Sequence, residues 1–295
     1  MSKPPRRPKD RKRCIFCGST DLSRTHIWPN WVNQLFSGTH RQHEGVGLSS
    51  MDLAKAEVVS EIVVKQGKLT SQKPYLACSS CNSGWMAYFE NEMSLVLKPA
   101  IAGTAVVILN QRQAEILAGW VALIFTLAEF TTSEGPTLPV KERMYFKRYM
   151  KPSSNWSIYV AGIEGISWAV RHHHHSLYEG RLPNKFEILN LYGTQLPKPN
   201  SHISSMGMGR LFFHAYFTPL NENLRGFDIA CKSHGMVRIW PPRKRFWPLP
   251  KRKLRLPPKT VFDDTRATEV SESFYKQSIY RGSLQESLKR NRNIG

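Results

Sequence analysis

Acidic side chains are scarce in this sequence: 22 Asp and Glu stand against 42 Lys and Arg in 295 residues, a formal net charge of +20. That balance is far from the near-neutrality of an ordinary cytosolic enzyme and points to a polyanionic partner, either nucleic acid or an anionic membrane surface. Long apolar runs are missing too. The longest, Ile116 to Ala128, is bracketed by Glu115 and Glu129 and falls short of the roughly 20 residues that span a bilayer. No apolar stretch follows the basic, proline-rich N-terminus, so it does not read as a secretory signal. The expectation is a soluble intracellular protein with no membrane partner, cytoplasmic and drawn by its charge to the nucleoid. Cysteine is the third scarcity. Five in so long a chain are too few for a disulfide scaffold, and four of them fall into two Cys-x-x-Cys pairs, which suggests metal before disulfide. Hydrophobic residues, at 41%, suffice for a sizeable core.

Along the chain, residues 1–13 carry Arg6, Arg7, Arg11, Lys12 and Arg13 among prolines and read as a disordered basic arm. A small domain is expected over 14–98, opened by Cys14 and Cys17. Within it, Gly38 to Ser50 reads as loop and Val58 to Val64 as a short strand. After Cys78 and Cys81, Trp85, Phe89, Met93 and Val96 have helical spacing, with Asn82 or Ser83 as cap and Lys98-Pro99 as the end. A second helix is expected over 111–130, with Trp120, Leu123, Leu127 and Phe130 on its buried face. Beyond it, Trp156, Ile158 and Val160 alternate with polar or small residues, as do Ile166, Trp168 and Val170, with Glu164-Gly165 as a hairpin turn between them. Phe186–Tyr192, Leu211–Phe217, Phe227–Cys231 and Met236–Trp240 read as further strands. Residues 99–240 are thus expected to form a mostly antiparallel sheet with a helix packed on it, and the whole chain an α+β protein. Residues 241–295 read as a basic, proline-rich segment followed by a polar tail or loose helix.

The sharpest motif is Cys14-Ile-Phe-Cys17 with Cys78-Ser-Ser-Cys81. Each pair is a knuckle able to supply half of a tetrahedral zinc site, and two knuckles close it, so the expected zinc is structural. The lone Cys231 reads as a core residue. Between the knuckles lies Arg24-Thr25-His26-Ile27-Trp28-Pro29, and the second knuckle runs into Asn82-Ser83-Gly84-Trp85-Met86, with Glu90 beyond. Over residues 14–98 the chain resembles the HNH endonuclease superfamily, in particular the branch written Cys-x-x-Cys, Glu-His-Ile-x-Pro, Cys-x-x-Cys-Asn. Many members of that branch are uncharacterised phage and bacterial proteins. The resemblance implies a zinc-knuckle ββα (treble-clef) domain that hydrolyses DNA phosphodiesters. It implies His26 as general base, Asn82 as the residue holding the loop that bears His26, and Glu90 as a carboxylate for one divalent cation, Mg2+ above others, with Asn91 as runner-up. The chain departs from the pattern at Thr25, where active branches carry Glu, Asp or His as a metal ligand.

His172 to His175 invite a metal reading, but strand neighbours point to opposite faces, so at most two could share an ion, and an exposed polar strand end is the plainer expectation. Arg243, Lys244 and Arg245, next to Phe246 and Trp247, could neutralise phosphates while Trp247 stacks on a base, as could the arm ending in Arg11, Lys12 and Arg13. Two alternatives stand beside the nuclease: a zinc-stabilised nucleic-acid-binding protein without catalysis, which Thr25 favours, and a structural or assembly protein.

Overall fold

A computed structural model of the chain describes residues 13–36, 42–52, 57–66, 69–131, 136–164, 170–177, 200–242 and 253–271. The expectations for the arm up to Lys12, for Phe186–Tyr192, for Arg243, Lys244, Arg245 and Trp247, and for 272–295 lie outside these residues.

The architecture is α+β. Strands β1 (Leu22–Arg24) and β4 (Tyr75–Cys78) pair antiparallel, with helix α1 (Asn30–Leu35) between them in sequence. Also between them, β2 (Gln42–Asp52) and β3 (Glu57–Gln66) pair antiparallel in a two-stranded ribbon of their own, so the loop expected up to Ser50 is strand from Gln42 onward. In that ribbon Gly45 pairs with Val63 and Gly47 with Glu61, despite the weak strand preference of glycine. After β4 the chain turns through α2 (Ser79–Cys81) and a wide turn over Asn82–Met86 into α3 (Ala87–Ala102). Here α3 runs through Pro99 rather than stopping at it. The carbonyl that Pro99 leaves without an amide lies on Leu95, whose side chain is solvent-exposed, and the helix closes at Gly103 with φ of 72°.

Strand β5 (Val107–Leu109) leads into α4 (Gln111–Ala128), opened by a capping box between Asn110 and Gln113. Taken with the short turn after it, Gln111–Thr131 is long and apolar enough to cross a membrane by length and composition, yet 78% of its apolar window is buried inside the protein. A helix apolar all round is covered all round. Helix α5 (Val140–Tyr149), which the periodicity did not reveal, follows.

The main sheet has the order β10-β6-β9-β8-β7, from β6 (Trp156–Ile163), β7 (Val170–Leu177), β8 (Ser201–Met208), β9 (Leu211–Phe217) and β10 (Val237–Trp240), and β12 (Val261–Phe262) adds to β6 in parallel. Strands β9 and β8 lie between β6 and β7, so those two are not paired; the turn expected at Gly165 and the strand expected from Ile166 to Trp168 lie outside the described residues. Residues 221–233 are helix α6 (Asn221–Ser233), not strand. Leu224, Phe227 and Cys231 keep helical spacing on one packed side, while Ile229 is exposed. Cys231 is in the core as expected. Residues 254–271 return to the body: β11 (Leu254–Leu256) pairs with β5, and Phe262, Ala267 and Val270 are buried beside Phe227.

One face of the sheet carries Ile158, Val160, Phe213 and Met206 against α4, where Trp120 meets Phe213 edge to face. This core continues across residue 98 without a break. Phe16 packs edge-on to Trp85, Trp85 edge-on to Phe146 of α5, and Trp31 stacks on Trp120. Helices α3 and α4 approach closely, and a Cβ added to Gly119 would lie 2.4 Å from Phe89 Cε1. Gly119→Ala would gain about 1 kcal/mol of helix propensity but overpack a fully buried ring at a cost of about 1–3 kcal/mol. The expected result is a net loss of stability in denaturant titration; a more stable variant would mean that Phe89 can move aside freely.

Candidate functional site

The cluster begins with the first knuckle. Gly18, at φ of 76°, bends the chain back so that its N–H donates to Cys14 O at 2.9 Å. Cys78, in extended backbone, starts the following helix by accepting from the N–H of Cys81 on its sulfur at 3.4 Å. The cap of that helix is therefore a cysteine, and the side chain of Asn82 is left for another task. The sulfur atoms of Cys14, Cys17, Cys78 and Cys81 all lie within 4.8 Å of one another, with Cys17 to Cys78 at 3.5 Å and Cys17 to Cys81 at 3.7 Å. Four thiolates about 2.3 Å from a central zinc form a tetrahedron with edges of roughly 3.8 Å, so the donors fit that ion, whereas a disulfide needs about 2.05 Å. Burial opposes ionisation of Cys14, but hydrogen bonds from the backbone N–H groups of Cys78, Phe16 and Cys17 and from the Cys17 side chain outweigh it and lower the thiol to about 7. Burial pushes Cys81 up to about 12. Such a set ionises in full only against a cation. Among the described residues no other group of three or more His, Cys, Asp or Glu side chains is placed to share an ion.

The knuckles are tied to β1 and β4 through a bulge. Ser23 faces Ala77 and Arg24 faces Tyr75, so Leu76 is an extra residue. Its carbonyl accepts from the N–H of Ile15 at 3.0 Å, inside the first knuckle, while the N–H of Ala77 donates to Thr25 Oγ1 at 3.1 Å. Arg143 of α5 closes the same corner by donating from Nε to Ile15 O at 2.9 Å and from Nη1 to Leu138 O. No sequence pattern announced this arginine, which lies 128 residues from its acceptor.

Past the bulge the pairing runs on. The N–H of Thr25 donates to Pro74 O at 2.9 Å and that of Ile27 to Gln72 O at 3.4 Å, which sets His26 opposite Lys73. Alternation then separates the side chains. Thr25 is fully buried, its hydroxyl also reaching Ser23 O, while His26 on the opposite face is half-buried. His26 Nδ1 is buried without a hydrogen-bond partner. Burial, then the charge of Lys73, lowers the His26 pKa from 6.5, so the ring is a neutral base at pH 7. Asn82 Nδ2 donates to Arg24 O and to Ser23 Oγ, each at 3.2 Å, tying the turn after the second knuckle to the strand that leads into His26. Glu90, on the following helix, is half-buried and has no hydrogen-bond partner among the described residues; burial pushes its carboxyl up to about 7.

Thr25 faces inward, so a carboxylate there would be buried away from solvent rather than beside His26 on its open face. Thr25→Glu is expected to lower stability by about 3–5 kcal/mol, the cost of an uncompensated buried charge. A variant that melts with the wild type and binds Mg2+ more tightly would return this position to the metal site.

The histidine run lies on β7, the outermost strand of the sheet among the described residues. His172 and His174 face α4, where His172 meets Trp28 and Phe125, and His174 Nδ1 pairs with Ser204 Oγ at 2.9 Å. Both rings are half-buried rather than exposed, and burial holds them well below the usual histidine range. Beside them, His202 Nδ1 pairs with Thr137 Oγ1, which donates to the buried Glu129 carboxylate. These rings form a polar seam within the core. Comparison with protein-family models, with curated proteins and with solved structures returns no match.

Proposed function

We propose that the protein is a metal-dependent endonuclease of the HNH type, in which a structural zinc on Cys14, Cys17, Cys78 and Cys81 braces a ββα (treble-clef) unit built from β1, β4 and α3. The observation that carries this reading is the hold of Asn82 on Arg24 O, because it joins the second knuckle to the strand bearing a neutral, half-buried His26. His26 takes the proton of the attacking water, Asn82 keeps the His26 strand in place, and Glu90 ionises to hold a cation. A half-buried carboxyl with a raised pKa and no hydrogen-bond partner suits that role, since a cation restores its ionised form. A divalent cation, Mg2+ first, supplies charge stabilisation to the phosphorane and the leaving oxygen. DNA is the proposed partner, on the strength of the +20 charge.

The test is incubation of zinc-loaded protein with supercoiled plasmid and Mg2+ or Mn2+, with and without chelator. Nicked or linear product that needs the divalent ion supports the reading, and intact plasmid with every ion tried removes it. The second reading, a nucleic-acid-binding module without cleavage, is favoured by buried Thr25, which leaves no acid next to His26 in sequence.

A further inference from the structure

The pairing of residues 24–27 with 72–75 has a consequence outside the catalytic roles above. Thr25 with Pro74 and Ile27 with Gln72 are the hydrogen-bonded pairs, so Arg24 with Tyr75 and His26 with Lys73 are the non-hydrogen-bonded ones, whose side chains stand closest together. With period-2 alternation, Arg24, His26, Lys73 and Tyr75 share one face, opposite buried Thr25. Arg24, Lys73 and Tyr75 are exposed. Arg24 Nε donates to the Tyr75 hydroxyl at 3.2 Å, and the guanidinium lies over the Tyr75 ring, 5.9 Å from its centre. That interaction fixes the guanidinium while its two terminal nitrogens have no partner among the described residues. Lys73 forms no hydrogen bond or ion pair among the described residues, and its field reaches His26. The nearest acid in β1 and its lead-in, Asp21, stands three residues before Arg24, about 10 Å along an extended chain.

We propose that Arg24 and Lys73, with Tyr75 orienting the guanidinium, form a phosphate-gripping face that lays the backbone of a DNA strand across His26. The proposal rests on reading His26 as the base, and it names the positioning residues for that reaction. Two cations flanking one imidazole fit successive phosphates, and a guanidinium held by a tyrosine hydroxyl keeps its fork open for a bidentate grip.

The experiment titrates a fluorescein-labelled 20-base-pair DNA duplex with full-length, zinc-loaded protein, without added Mg2+, at several salt concentrations. Arg24→Ala with Lys73→Ala should flatten the slope of log K against log salt by about 1.8, at roughly 0.9 for each phosphate no longer neutralised. The control pair, Lys232→Ala with Lys253→Ala, removes the same charge from exposed positions elsewhere and should leave the slope nearly intact. Tyr75→Phe should weaken binding in the wild-type background but not in the Arg24→Ala background. An unchanged slope in the double variant, or equal flattening by the control pair, overturns the face. If the double variant flattens the slope while the wild type cuts no plasmid with any ion, the face stands and the nuclease reading falls. In an active enzyme, Arg24→Ala and Lys73→Ala should raise KM, whereas His26→Ala should lower kcat.

Discussion

Replacing His26 with alanine is expected to lower plasmid cleavage by about 10²- to 10⁴-fold at saturating DNA, the range for loss of a general base. Affinity should survive, because phosphate neutralisation and not the imidazole supplies it. The pH profile sharpens the test. Burial and the charge of Lys73 lower the His26 pKa from 6.5, so the proposed base should be neutral at pH 7 and above, and activity should fall only as acid protonates it at a pH lower than for a free histidine. Glu90, pushed up to about 7 by burial, works in the other direction: at low Mg2+ its carboxyl ionises as pH rises through 7, so activity should climb there. Saturating Mg2+ should move that rise to lower pH, because the cation favours the ionised form. A His26→Ala protein that cuts as fast as wild type would dismiss the base, and a profile insensitive to Mg2+ would dismiss Glu90.

Removing zinc is the second large effect. A structural zinc bound by four thiolates contributes roughly 10–16 kcal/mol to folding, while a domain has only about 5–15 kcal/mol of net stability. Loss of the ion should therefore unfold the protein rather than loosen it. Because Phe16, Trp85 and Phe146 pack in one chain of rings, the loss should spread past residue 98 into α5 and α4. The measurement is elemental analysis of freshly purified protein, expected at one zinc per chain, followed by chelation monitored through tryptophan fluorescence. Cys81→Ser should reproduce the chelated state. Protein that contains no zinc, or that melts unchanged after chelation, would reject the site.

Both knuckles and the long helix around Trp120 were legible in the sequence, because Cys-x-x-Cys spacing and helical periodicity are local signals. The residues opposite His26 were not. Lys73 and Tyr75 come beside His26 and Arg24 only through the register of a strand pair, and that register depends on a bulge at Leu76 that no local pattern marks. For α6 the reason is different. Phe227, Ile229 and Cys231 alternate like a strand, and only the covering of Leu224, Phe227 and Cys231 together selects the helical period. Strand β6 is buried at every position, and its place beside β9 and β10 rather than β7 is a matter of topology. By sequence alone Asn82 suits either a cap or a site. The structure leaves capping to Cys78, which separates two roles that one letter could not.

The unbroken core between the knuckles and the sheet also bears on the order in which this protein is made. All four cysteines have been synthesised by residue 81, but Trp120, which stacks on Trp31, and Arg143 and Phe146, which close the knuckle corner, come later. At about 5–20 residues per second, the stretch from Cys81 to Phe146 takes several seconds to synthesise. During that interval a nascent chain could gather its thiolates around an ion while Trp31 still lacks Trp120 and Trp85 still lacks Phe146. Were zinc captured in that interval, the rings that pack over the knuckles would arrive after the ion.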